Sequence, residues 1–181
     1  MDTVKAKTIL AEADCVADAA TCHAAVLRVA LEIKAAVGNK APLVLAVMGG
    51  AVVFAGQLLP LLDFPLDFDY IHVSRYGGQT TGGPLAWKVE PKEAVKGRTV
   101  IVLDDILDEG ETMHAIRERI LELGAERFLS AVFCEKDLGR RKPIKADFTG
   151  LTLPNRYVFG FGMDVSGLWR NLPAVYAVKG M

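Results

Sequence analysis

Apolar and polar positions along this chain follow two periods, one helical and one extended, and they alternate. From Ala6 to Val37 the chain is rich in Ala. Val16, Ala20, Ala24, Leu27, Leu31 and Lys34 track one helical face, which predicts one long helix or two consecutive ones ended by Gly38-Asn39. Leu43 to Val47 predicts a short strand, and Gly49-Gly50 opens a helix over Val52 to Leu62. Asp69 to Arg75 predicts a strand, followed by a Gly-rich loop, 77–84, and a return strand from Leu85 to Val89. Thr99 to Leu103 predicts a strand. The helix after it, Met113 to Leu123, sets Met113, Ile116, Ile120 and Leu123 on one face, and Gly124 stops it. Arg127 to Cys134 predicts another strand, then a basic, turn-rich stretch through Pro143. Short strands at Tyr157 to Phe159 and Ala174 to Val178 finish the pattern. Strands alternating with helices imply an α/β fold: a mostly parallel sheet with helices on both faces. No repeat, low-complexity tract or Pro- or Ser-rich linker divides the chain, so residues 1–181 are expected to form one domain.

Composition changes this picture at one place. Ala41 to Leu62 holds 22 residues without a charge, long enough to span a bilayer. The Gly49-Gly50 break and the short first half argue instead for a buried parallel strand, which is hydrophobic throughout because both its faces are covered. The residues from Met1 to Lys7 are mixed and polar, unlike a signal segment. A cytoplasmic protein without a membrane partner is expected. Hydrophobic residues make up 51% and the formal net charge is −1, so there is no basic excess for a nucleic-acid backbone and a small-molecule role is favoured. Cys15, Cys22 and Cys134 show no metal-ligand spacing and read as reduced thiols. His23, His72 and His114 share no metal-ligand spacing either.

Candidate chemistry concentrates in Val102-Leu103-Asp104-Asp105-Ile106-Leu107-Asp108-Glu109-Gly110-Glu111-Thr112. An apolar run ends in two acids, a third acid follows Ile106-Leu107, and a Gly precedes a Thr that opens an amphipathic segment. The physical reading is a buried strand, a tight loop and a helix N-terminus whose outward N–H groups form an anion cradle. Carboxylates do not bind a phosphate, so the acids need another task. Asp104 and Asp105 suit two ribose hydroxyls, and Asp108 suits a proton acceptor. A phosphate cradle beside acids for a sugar describes a phosphorylated ribose.

This segment resembles the signature of the type I phosphoribosyltransferases, most closely their hypoxanthine-guanine branch. The resemblance extends from about Leu43 to Val178 and implies a twisted, mostly parallel sheet with a small hood built from the terminal segments. It also implies transfer of ribose 5-phosphate from phosphoribosyl pyrophosphate (PRPP) to hypoxanthine or guanine, Mg²⁺ as the cofactor and a homo-oligomer, dimer or tetramer. On this family pattern Asp108, Glu109, Gly110, Glu111 and Thr112 hold the 5′-phosphate through backbone N–H groups. Val47-Met48-Gly49-Gly50 forms the pyrophosphate loop, with Met48 and Gly49 joined there by Arg75, Tyr76 and Arg170. Lys136 meets the purine O6, since an ammonium is all donor and favours a 6-oxo over a 6-amino group. Tyr157 stacks on the base, Val158 reads its edge through the backbone, and Asp164 lies beside the purine and carries Mg²⁺. Trp87 and Trp169 are expected to serve packing.

The sequence departs from the pattern where Lys and Ser usually stand, at Met48 and Arg75, and two glutamates, Glu109 and Glu111, sit at the anion site. Arg75 is a candidate to replace the missing lysine charge at the leaving group. Alternatives are a xanthine-preferring or other type I phosphoribosyltransferase, a non-catalytic PRPP-sensing regulator, and a generic doubly wound nucleotide binder. A regulator of that kind generally needs a nucleic-acid-binding module or a basic face.

Overall fold

The computed structural model describes residues 1–38, 40–75 and 85–180. The loop expected at 77–84 and Asn39 lie outside the described residues. Helices α1 (Thr3–Glu12), α2 (Ala19–Val37), α3 (Val52–Leu58) and α4 (Glu111–Glu122) alternate with strands. The strands are β1 (Asp14–Ala17), β2 (Leu43–Val47), β3 (Asp67–Arg75), β4 (Leu85–Val89), β5 (Thr99–Leu107), β6 (Arg127–Asp137), β7 (Phe148–Pro154), β8 (Val158–Phe159) and β9 (Val175–Ala177). A six-stranded sheet has the order β4-β3-β2-β5-β6-β7. It is parallel except for the β3–β4 pair. A small antiparallel sheet, β1-β9-β8, draws its strands from the two ends of the chain and forms the hood.

The uncharged stretch resolves as β2, a turn and α3. All five residues of β2 are buried. Val44 and Ala46 join one core with α2 and α3, whereas Leu43, Leu45 and Val47 join a second core with Met113, Ile116 and Ile120 of α4. Two covered faces account for an apolar run with no alternation. Among the described residues no helix is long and apolar enough to cross a membrane.

The N-terminal region departs from the expected helical face. Two helices form, but β1 separates them, and Asp18 restarts the helix by accepting a bond from Thr21 N at 2.8 Å. The buried face of α2 is Cys22, Ala25, Val26, Val29, Ala30, Ile33 and Val37, while Leu27 and Leu31 are exposed. The expected face was phased from Val16, which lies in β1 and carries no helical register. Strand β7 has no counterpart in the expected pattern. Its buried Phe148, Gly150 and Leu153 are interrupted by Thr149 and Thr152, so neither period is sustained. Strands β5 and β6 also run past their expected ends, through the acids to Leu107 and through Lys136 to Asp137. Helix α3 is shorter than expected and passes into a 3₁₀ turn, Leu59–Leu61, at Pro60.

All three cysteines are free thiols. Burial pushes the Cys22 thiol up to about 11 and the Cys134 thiol well above its ordinary range, so both stay protonated at neutral pH.

Candidate active site

Ligands of open parallel sheets gather outside the carboxyl ends of the strands, and Asp104 and Asp105 lie toward that end of β5. Asp104 closes the buried part of β5 at 8% exposure, and its Oδ1 accepts a bond from Asp105 N at 2.9 Å. Burial, reinforced by the charge of Asp105, raises the Asp104 carboxyl well above the usual carboxylate range. Burial also raises Asp105, opposed by its hydrogen bond with Asp104 and by the Arg170 guanidinium, 3.8 Å away. Two adjacent acids held out of water oppose folding, which marks them as candidates for a functional role.

Beyond β2, Met48 is half-buried and Gly49 exposed, and the peptide between them is cis. Gly50 lies so close to Asp105 that a β-carbon there would collide with its carboxylate. The same turn meets Gly162, whose φ is +99° and whose missing β-carbon leaves room for the carbonyl oxygen of Gly50.

The loop Gly160 to Arg170 is cross-tied by Gly162 N to Arg170 O at 2.9 Å and Val165 N to Leu168 O at 3.0 Å. Within it Asp164 pairs with Arg170 and accepts from Gly167 N at 2.6 Å, while Arg170 donates to Gly162 O at 2.6 Å. Trp169 fills a packing role, its indole N–H reaching Ala6 O of α1 at 2.9 Å, and Trp87 packs against the second core.

Two cavities meet along Asp105, Ile106 and Asp108. One, of about 230 Å³, sits over the N-terminus of α4 and is lined by residues from Asp104 to Gly110 with Thr112 and Met113. Gly110 precedes the helix with φ of 86° and no side chain caps it. The other, of about 190 Å³, is lined by Asp105, Ile106, Asp108, Lys136, Tyr157, Val158, Met163 and Asp164. Across it Lys136 Nζ reaches Asp108 Oδ2 at 2.8 Å. The Tyr157 ring is exposed and Val158 is buried. Partial burial, then the charge of Asp164, raises the Tyr157 phenol above its ordinary range.

The phosphoribosyl transferase domain family matches residues 14–166 of this sequence. The chain belongs to that family. A hypoxanthine-guanine phosphoribosyltransferase of Lactococcus lactis subsp. lactis is 37% identical over 78% of this chain and 77% of its own length. A hypoxanthine-guanine-xanthine phosphoribosyltransferase of Tritrichomonas foetus is 34% identical over 78% of each. The crystal structure of a hypoxanthine-guanine phosphoribosyltransferase from Bacillus anthracis, with a HEPES molecule in its active site, superposes with a TM-score of 0.85 at 27% identity, covering 91% of this chain and 98% of that one.

In this phosphoribosyltransferase the described fold brings Asp104, Asp105, Asp108, Lys136, Tyr157, Val158, Asp164 and Arg170 to one mouth, with Met48 and Gly49 on the adjoining turn. Tyr76 and the side chain of Arg75 lie outside the described residues. The two glutamates separate. Glu109 pairs with Arg140 and Glu111 stands exposed in the first turn of α4. Arg140 was not among the expected site residues. Arg140 falls in the basic stretch after β6, where no motif marks it, and its value lies in a partner 31 residues away. Gly50 was expected in the pyrophosphate loop, but its close approach to Asp105 was not.

Proposed function

We propose that this protein transfers the 5-phosphoribosyl group from PRPP to hypoxanthine or guanine, giving IMP or GMP and pyrophosphate in purine salvage. One observation carries the reading: a cavity over a helix N-terminus, edged by the buried Asp104 and the half-buried Asp105, opens into a second cavity holding the Lys136–Asp108 pair. A 6-oxopurine presents neighbouring O6 and N7 positions on one edge. Lys136 would donate to O6 while Asp108 accepts the N7 proton, so the donor and acceptor, 2.8 Å apart here, match that edge. Tyr157 would stack on the base, and the backbone of Val158 would read its far edge.

Asp104 and Asp105 would accept bonds from the ribose hydroxyls, and the backbone N–H groups of Asp108 to Thr112 would hold the 5′-phosphate. Met48, Gly49, Arg75, Tyr76 and Arg170 would face the pyrophosphate. The pairing of Glu109 with Arg140 removes the charge conflict at the cradle, since a neutralised glutamate no longer repels the incoming phosphate. As the glycosidic bond to pyrophosphate breaks, positive charge grows on the ribose before N9 attacks. Positioning and neutralisation of the leaving group then supply most of the rate.

Mg²⁺ fits the donor set. Asp164 and Asp105 offer hard carboxylate oxygen at the mouth, and this cation binds by one or two carboxylates together with substrate phosphates. When bound, it would neutralise pyrophosphate charge.

On this reading the activity belongs to a single domain of a cytoplasmic protein. Assembly into a dimer or tetramer is supported by Phe68 and Tyr70, two positions apart on one face of β3 and each 45% exposed. Light scattering after gel filtration checks the assembly. The decisive experiment incubates the protein with PRPP, Mg²⁺ and each of five free bases: hypoxanthine, guanine, xanthine, adenine and uracil. Nucleotide from hypoxanthine or guanine supports the reading. Exclusive use of xanthine moves the substrate, and nucleotide from none overturns the reading.

A further inference from the structure

We propose that Lys142 is a positioning residue for the purine cavity: its ammonium ties the ends of β5 and β6 together and so fixes the spacing of Asp108 and Lys136. Its side chain is only 7% exposed. Nζ donates to Leu107 O at 2.8 Å, to Lys136 O at 2.6 Å and to Glu135 Oε1 at 3.3 Å. An ammonium has three donors and no acceptor, so these partners saturate it and leave nothing to offer a substrate.

The location of the tie matters. The β5–β6 ladder ends at the pair Leu107↔Glu135. The next residue on each strand is a member of the 2.8 Å pair, Asp108 on one and Lys136 on the other. No further rung of the sheet sets their separation. Lys142 bridges one carbonyl from each strand at that point, the carbonyl of the residue before Asp108 and that of Lys136 itself. Glu135 balances its charge and is in turn held by the Thr149 hydroxyl at 3.3 Å.

The segment bearing Lys142 is itself anchored. Pro143 Cδ and Lys142 Cβ stand 3.3 and 3.4 Å from where a β-carbon on Gly110 would sit, and Ile144 packs against the second core. These apolar contacts do not involve the ammonium, so they hold the cradle loop in place even when the tie between the strand ends is removed. A long side chain buried this way loses rotamer freedom and hydration, and an apolar residue would fill the same space at lower cost. Its particular contribution is the bridge between two strand ends.

This inference rests on the assignment of Asp108 and Lys136 to the purine. Lys142→Met keeps the unbranched side chain out to the ε position and removes all three donors. With the purine pair free to shift, the KM for hypoxanthine should rise, or turnover fall, by about 10-fold to 100-fold, the usual consequence of a misplacement near 1 Å. The KM for PRPP should stay within about twofold. Lys142→Gln retains amide donors and should fall between Lys142→Met and wild type. Unfolding midpoints are recorded for each variant, because a merely structural role would lower the midpoint without changing the ratio of the two KM values. Equal rises in both KM values, or unchanged kinetics in a folded Lys142→Met protein, overturn the proposal. If Lys142→Met does not fold, Lys142→Gln decides by the same ratio. A wild-type protein that makes no nucleotide from any 6-oxopurine overturns the purine reading itself, and this inference with it.

Discussion

Gly50→Ala tests the closest approach in the site. A β-carbon at Gly50 would come within 3.0 Å of Oδ1, Oδ2 and Cγ of Asp105, where ordinary contact begins at 3.4 Å. The turn has no room to retreat, because the carbonyl oxygen of Gly50 already occupies the space that a β-carbon on Gly162 would need. The Asp105 carboxylate must therefore give way. A shift on the order of 1 Å in a positioned group costs roughly 100-fold in rate. A side chain moves rather than the backbone, so the fold should survive with a loss of about 1 kcal/mol. The assay varies PRPP at saturating hypoxanthine, then the reverse. We expect kcat/KM for PRPP to fall about 100-fold, with the KM for hypoxanthine little changed. Gly56→Ala is the control: it lies exposed within α3 with open space around it, so it should stabilise the helix by about 0.5–1 kcal/mol and leave kinetics alone. A folded Gly50→Ala protein with wild-type PRPP kinetics would refute the placement of the ribose on Asp105.

Asp104→Asn should raise the unfolding midpoint at pH 8 and weaken PRPP binding. The folded protein holds the Asp104 proton above the ordinary carboxylate range, so wild-type stability declines as pH rises from the unfolded pKa through the raised folded one. Asn keeps the Oδ1 acceptor for Asp105 N and removes the buried charge. The variant's advantage should shrink as pH falls through that window, and a variant less stable than wild type at pH 8 sinks the argument. For wild type, kcat/KM for PRPP should lose activity on the acid side at a pH above the ordinary aspartate range, because protonated acids accept ribose hydroxyls poorly. Asp108→Asn should fold and bind PRPP yet lose about two to four decades of turnover; near-normal turnover removes Asp108 from the mechanism. Native protein should use hypoxanthine and guanine but not adenine, and Lys136→Ala should weaken the purine more than PRPP. Efficient use of adenine contradicts the Lys136 assignment.

The amino-acid sequence alone carried the α/β class and the family. The strongest signals were local: a continuous apolar run for a strand covered on both faces, the face of α4, and a spacing of acids, Gly and Thr that marks strand, loop and helix start within eleven residues. Chemistry confined to one loop is legible because adjacent residues share one backbone conformation. Three kinds of feature waited for the tertiary structure. The buried face of α2 differs from the expected one because β1 interrupts the helix, and β1 exists through its antiparallel pairing with β9, more than 150 residues later. Strands β5 and β6 are longer than expected because Asp104, Asp105 and Lys136 look like strand ends by polarity. Pairing with the neighbouring strand, not hydrophobicity, carries the ladder on to Leu107↔Glu135. The contacts of Glu109 with Arg140, of Gly50 with Asp105 and of Lys142 with two strand ends join residues distant in sequence whose types alone are unremarkable. Local order follows from short-range sterics and periodicity. A charge is neutralised or a carbonyl bridged only when the whole chain has brought its partner within about 3 Å, a distance that sequence spacing does not encode.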